Sequence, residues 1–87
     1  MARLESFEKA QARVRSALGG NVRGLRLSLG LSQADLADRA GIRRALISDI
    51  ERCETNATLD TIVRIARVLR VEAHELLDPE SRLKTDE

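Results

Sequence analysis

The stretch QADLADRAGIRRALISDIER, Gln33 to Arg52, constrains the fold of this chain more than any other. It holds two short runs of helical periodicity joined by a tight turn at Gly41, and a pair of helices crossed that closely demands particular residue types. Ala37 falls midway along the first run, where a larger side chain would push the second helix away. Gly41 supplies the turn. With the turn there, Leu36, Ala40, Ile42, Ile47 and Ile50 project between the helices, so small, glycine and apolar requirements are met together.

The flanks keep the helical rhythm. Ala2 to Leu18 contains neither proline nor glycine and places Leu4, Phe7, Val14 and Leu18 near one face, predicting an N-terminal helix that stops at Gly19-Gly20. Asn21 is then the expected N-cap of the first core helix, which carries Val22, Leu25 and Leu29 and ends at Gly30. Ser32, with Asp35 three residues on, opens a helix over about 33–40, and a second follows over about 44–52. Residues 53–57 are polar and read as a loop. Thr58 caps a helix built on Leu59, Ile62, Val63, Ala66 and Leu69, and a short one over 73–77 ends at Asp78-Pro79. No segment reads as a strand, so the class is all-α. The expected organisation is an N-terminal extension over 1–19, a domain over 20–78 and a frayed, charged tail over 79–87.

Composition excludes several functions. With 87 residues the chain is long enough for one domain and one core. No apolar run is long enough to span a membrane or serve as a secretory signal. Cys53 is the single cysteine and His74 the single histidine, so no disulfide and no metal site is expected, and a reducing cytoplasm is the simplest setting. There is no nucleophile–base pair, acidic dyad or phosphate loop; no catalytic residue and no cofactor is expected. Phe7 is the one aromatic residue, which argues against single-strand or RNA binding by base stacking. A net charge of +1 means that any basic surface must come from local clustering.

Such a cluster exists at the start of the second helix of the pair. Arg43 occupies the N-cap position, where Ser, Thr, Asp or Asn serves better. Arg43 and Arg44 both sit at the positive end of the helix macrodipole, at a penalty of roughly 0.3–1 kcal/mol each. Residues that are locally wrong for stability are often right for a ligand, and a phosphate backbone at that helix end would relieve both charges. Two solvated surface arginines are the alternative.

From Val22 to Leu77 the sequence resembles the Cro/repressor-type, or XRE, helix-turn-helix family. The landmarks are LGLSQADLADRAGI, LISDIER, LDTIVRIARVLRV and HELL, in the family's order and spacing. The resemblance implies a five-helix, lambda-repressor-like DNA-binding domain, here with an extra N-terminal helix, and a transcriptional regulator that binds a palindromic operator on double-stranded DNA as a homodimer. It implies base contacts from Arg44, Ala45, Ser48 and Asp49. Arg44 suits guanine O6 and N7, Ala45 a thymine methyl and Asp49 cytosine N4, or Asp49 instead orients Arg52 or Arg44. Ser32 and Gln33, at a helix start, and Arg43 and Arg52 are the implied phosphate contacts. Ser32 also reads as a plain N-cap. Arg26 and Glu51 stand where the family has an ion pair joining the first helix to the recognition helix. Family dimers commonly meet through the C-terminal region. The apolar residues there exceed what one small core needs, so Ile65, Val68, Leu76 and Leu77 are the expected interface. The N-terminal extension either pads the core or extends that interface.

Departures from the family pattern are few. Cys53 stands where glycine is usual, and a left-handed conformation there would strain it by roughly 1–2 kcal/mol. A redox role for Cys53 has only Arg52 as an adjacent cation in its favour. Ala57 replaces a common loop proline. A protein-interaction module on the same fold, binding a toxin or another regulator, is the second functional reading, and salt-dependent DNA binding separates the two.

Overall fold

The computed structural model describes residues 4–80, which form five helices: α1 (Phe7–Ser28), α2 (Gln33–Ala40), α3 (Arg44–Glu51), α4 (Leu59–Leu69) and α5 (Ala73–Leu76). Most of the charged tail expected over 79–87 lies outside the described residues. Side-chain caps start the helices that have them. Ser6 accepts from the Lys9 amide, Ser32 and Asp35 form a reciprocal capping box, and Thr58 accepts from the Thr61 amide. Gly41 adopts φ 74°, which stops α2 and turns the chain straight into α3.

The helix expected to stop at Gly19-Gly20 does not stop. The N-terminal extension and the first core helix are one 22-residue helix, and Asn21 is not an N-cap. Gly19 is required for a different reason. A Cβ there would lie 2.6 Å from the Ile50 carbonyl oxygen and 3.0 Å from Cys53 Sγ, so only glycine lets α1 pass this close to the end of α3. Asn21 is 1% exposed, and its Nδ2 donates to the carbonyls of Glu75, Leu76 and Asp78 at 3.3, 3.0 and 3.1 Å. A side chain from the middle of α1 therefore adds hydrogen bonds to carbonyls at and just past the end of α5, where the short helix's own ladder runs out.

The core draws on every helix: Leu18, Val22 and Leu25 from α1, Leu36, Ala37 and Ala40 from α2, Ile47 and Ile50 from α3, Ile62, Ile65, Ala66 and Leu69 from α4, and Leu76 from α5. Ala37, 3% exposed, sits where α2 packs against α3 and α4. Ile42 and Leu46 pack against this cluster from its edge. Two of the residues expected at a dimer interface belong here instead. Ile65 and Leu76 are each 0% exposed, because α4 and α5 turn them against α1 and each other, and they are not available to a partner. Val68 and Leu77 are half-buried and keep contact with solvent. The N-terminal stripe splits in the same way: Leu18 is core, Val14 is half-buried, and Leu4 and Phe7 stand in solvent.

Candidate nucleic-acid interface

α3 lies across the end of α2 and against α1, and its sequence gives it two unlike faces. Ile47 and Ile50 point into the core. Arg44, Ala45, Ser48, Asp49 and Arg52 recur at i, i+1, i+4, i+5 and i+8, within an arc of about 140°. All are exposed or half-buried, so this arc is the open face of the helix.

The angle of that face is fixed from behind. Arg26 Nε and Nη2 donate to Glu51 Oε2 and Oε1 at 2.6 and 2.9 Å, a bidentate pair with side-chain exposures of 8% and 3%. Arg26 Nη1 also donates to the Leu31 carbonyl at 2.9 Å, and Gln33 Nε2 donates to Glu51 Oε1 at 3.1 Å. α1, the start of α2 and the end of α3 are thus joined through one carboxylate. Burial pushes the Glu51 carboxyl up, but the hydrogen bonds from Arg26 and Gln33, with the charges of Arg26 and Arg23, outweigh it and hold the group below its ordinary value. The hydrogen bond to Glu51 outweighs desolvation at Arg26 in the same way, so the guanidinium stays charged.

The expected contact residues fall into two groups. Arg43 and Arg44 are exposed at the N-terminal end of α3, with no side-chain cap there and no carboxylate within ion-pair distance among the described residues. At the other end, Arg52 is already engaged. Its Nη2 donates to Asp49 Oδ1 at 2.8 Å, its Nε to Glu54 Oε1 at 3.0 Å, and its Nη1 to Ser48 Oγ. Ala45 is exposed and faces solvent between the two groups. Ser32 is occupied by its capping box with Asp35, whose carboxyl is lowered by the Ser32 amide and hydroxyl. Gln33 is drawn back to Glu51, a link that the sequence pattern did not signal. Cys53, just past α3, is exposed and left-handed at φ 63°, a conformation that glycine adopts without strain.

Two short helices joined at a left-handed glycine, with the second braced from behind and open in front, define a helix-turn-helix unit. The helix-turn-helix family profile matches residues 22–76, and the chain belongs to this family, one of DNA-binding transcriptional regulators of the XRE type and not of enzymes. A Neisseria hypothetical transcription factor, from Neisseria meningitidis serogroup B, is 39% identical over 72 residues, 82% of this chain and 68% of that protein. The crystal structure of a hypothetical transcription factor from Neisseria superposes with a TM-score of 0.75 at 34% identity, covering 92% of this chain and 87% of that one. Control protein C.BamHI of Bacillus amyloliquefaciens is 42% identical over 66 residues, 75% of this chain and 82% of its own. SinR, solved in complex with DNA, superposes at a TM-score of 0.66 with 34% identity, over 70% of this chain and 98% of that chain. No helix among the described residues is long and apolar enough to cross a membrane.

Proposed function

We propose that this protein is a sequence-specific regulator that lays α3 in the major groove of a palindromic site and binds it as a homodimer. The observation that carries the reading is the arginine pair exposed at the N-terminal end of α3, which meets no carboxylate among the described residues, on a helix whose back is pinned by Arg26 and Glu51. Arg44 reads a base edge, Arg43 meets phosphate, and Ala45 supplies an apolar contact between them. A single short helix touches only about four base pairs, so two copies with reading helices about 34 Å apart are needed to select a site. The half-buried Val68 and Leu77 are the members of the expected interface that remain open to a partner. Relatives named as control proteins and a DNA-bound SinR structure support the same reading.

The test is fluorescence anisotropy on a duplex selected from random sequence, across a salt series. Arg44→Ala is expected to weaken binding by about 1–3 kcal/mol and to relax preference at one base pair. Arg43→Ala is expected to weaken all duplexes alike and to flatten the salt slope by about one unit. Affinities within twofold of wild type for both variants would remove the DNA-contact assignment. Sedimentation of wild type and Val68→Glu at micromolar concentration tests the dimer, which only the wild type is expected to form.

A further inference from the structure

We infer that the groove beside the first turns of α1 is a binding site for a small free monocarboxylate with an apolar body, and that Arg15 takes its carboxylate. The groove runs between the N-terminal half of α1, the loop from α3 to α4, Ile62 of α4 and Leu77 at the end of α5, and it encloses about 350 Å³. Pockets for small ligands start at about 300 Å³. At about 30 Å³ for each water-sized group, this one holds roughly ten heavy atoms.

The walls are apolar. Val14 and Leu18 line one side, Ala57, Ile62 and Leu77 the other, and Phe7 stands in solvent at the start of the helix. Leu18 and Ile62 are core residues, so the floor is built into the fold and is in place before a ligand arrives.

One charged side chain lines the groove, and it is a cation. Arg15 Nη2 donates to Asn56 Oδ1, which ties the guanidinium to the loop. Arg15 Nε is buried with no acceptor, and no carboxylate lies within ion-pair distance of Arg15 among the described residues. Two residues earlier on the same helix, Arg13 already meets Glu5 at 2.6 Å. A buried donor without a partner is costly, so the guanidinium gains by turning toward an acceptor in the groove. Its planar fork of N–H donors matches a carboxylate bidentately. No acidic residue lines the groove, so an anion meets no like charge there, whereas an ammonium meets Arg15. A second negative charge on the ligand would be buried against Val14 and Leu77 with nothing to pair it. One carboxylate and an apolar body are therefore what the site accepts. Asn56 belongs to the loop that leaves α3, and Leu77 to the face proposed for pairing, so a bound ligand touches segments next to both.

The experiment follows amide chemical shifts of the isotopically labelled full chain during titration. The probes are hydrocinnamate, its neutral amide hydrocinnamide, and acetate; the proteins are wild type, Arg15→Gln and Arg15→Lys. Hydrocinnamate is expected to saturate with a dissociation constant of about 1 mM or below, shifting the amides around Val14, Asn56 and Leu77. Hydrocinnamide is expected to bind roughly tenfold more weakly, the gain of a charge-assisted over a neutral hydrogen bond, and acetate, which lacks the apolar body, not to saturate. Arg15→Gln is expected to bind acid and amide alike, and Arg15→Lys, which keeps the charge without the fork, to retain part of the preference. A purely structural Arg15 would weaken both probes together and leave their ratio intact, which overturns its role. Absence of saturation at about ten times the expected constant overturns the site, as does equal affinity of the wild type for acid and amide. Shifts confined to Arg43 and Arg44 put the anion on α3 and overturn it. Groove amides that move with protein concentration alone place a second copy of the chain there and overturn it too. None of these readouts involves DNA, so failure of the regulator reading and failure of this site are separate results.

Discussion

Arg26 and Glu51 meet between α1 and α3 with side-chain exposures of 8% and 3%, while Arg52 and Asp49, on the open side of the same helix, keep 56% and 44% of theirs. The chemistry is the same and the separations are alike, at 2.6 and 2.8 Å. Environment makes the difference. A buried pair whose partner is removed leaves an uncompensated charge in a poorly solvated place, whereas an exposed pair hands its charges back to water. The rear pair therefore sets how α3 is held, and the front pair adds little to that hold.

The contrast breaks most visibly at Glu51. Glu51→Ala strands Arg26 and is expected to cost about 3–5 kcal/mol, a large part of the stability of a small domain. A fall in the urea midpoint worth less than about 1 kcal/mol would mean that the pair behaves like a surface one. The same pair predicts a pH dependence. The folded-state value of Glu51 is depressed, so its contribution is complete above the ordinary carboxylate value of about 4.3 and is lost as pH falls through the lowered one. The gap in urea midpoint between wild type and Glu51→Gln should accordingly shrink on acidification through that window.

Next comes the approach of α1 to the rear of α3. Gly19→Ala forces a Cβ to within 2.6 Å of the Ile50 carbonyl and is expected to destabilise by about 1–3 kcal/mol. Gly20→Ala, with nothing within 4 Å of its Cβ and a helical backbone, is expected to stabilise by about 0.5–1 kcal/mol. Thermal melts that moved together would show that the two glycines do not differ in surroundings. A gain of similar size, about 1 kcal/mol, is expected from Cys53→Gly, which relieves a left-handed residue at the end of α3. An unchanged melting temperature would mean that the loop accommodates the strain. The smallest effect belongs to the front: Arg52→Ala should alter the urea midpoint by less than about 1 kcal/mol. A larger loss would make the front pair structural.

The sequence was most legible where one local rule sufficed. Gly41, the Ser32–Asp35 box and the Thr58 cap each follow from short-range geometry, and the α2–α3 core follows from periodicity. It was least legible where a distant segment overrode the local rule. Gly19-Gly20 looks like a stop, yet the helix continues, because contact with α3 demands a missing Cβ at Gly19. Asn21 looks like a cap for the helix that follows it and instead serves the far end of the chain. Ile65 and Leu76 looked surplus to one core because the inward turn of α5 cannot be counted from composition. On the candidate site, the family pattern marked Arg26 and Glu51 and the exposed arc of α3, and the sequence left open that Asp49 orients Arg52, but the further engagement of Arg52 by Ser48 and Glu54 is visible only in three dimensions.

Asn21 also sets a hierarchy of local opening. α5 has four residues, far fewer than a helix needs to persist alone, and it stays closed through the burial of Leu76 and the amide of Asn21. Opening it breaks few contacts, so its backbone amides should exchange with solvent well before those of α1 and α3 around the Arg26–Glu51 pair. Association through the C-terminal end would then act on the least protected helix of the fold. Pairing would slow exchange there first, so that assembly and the final tightening of each protomer become a single event.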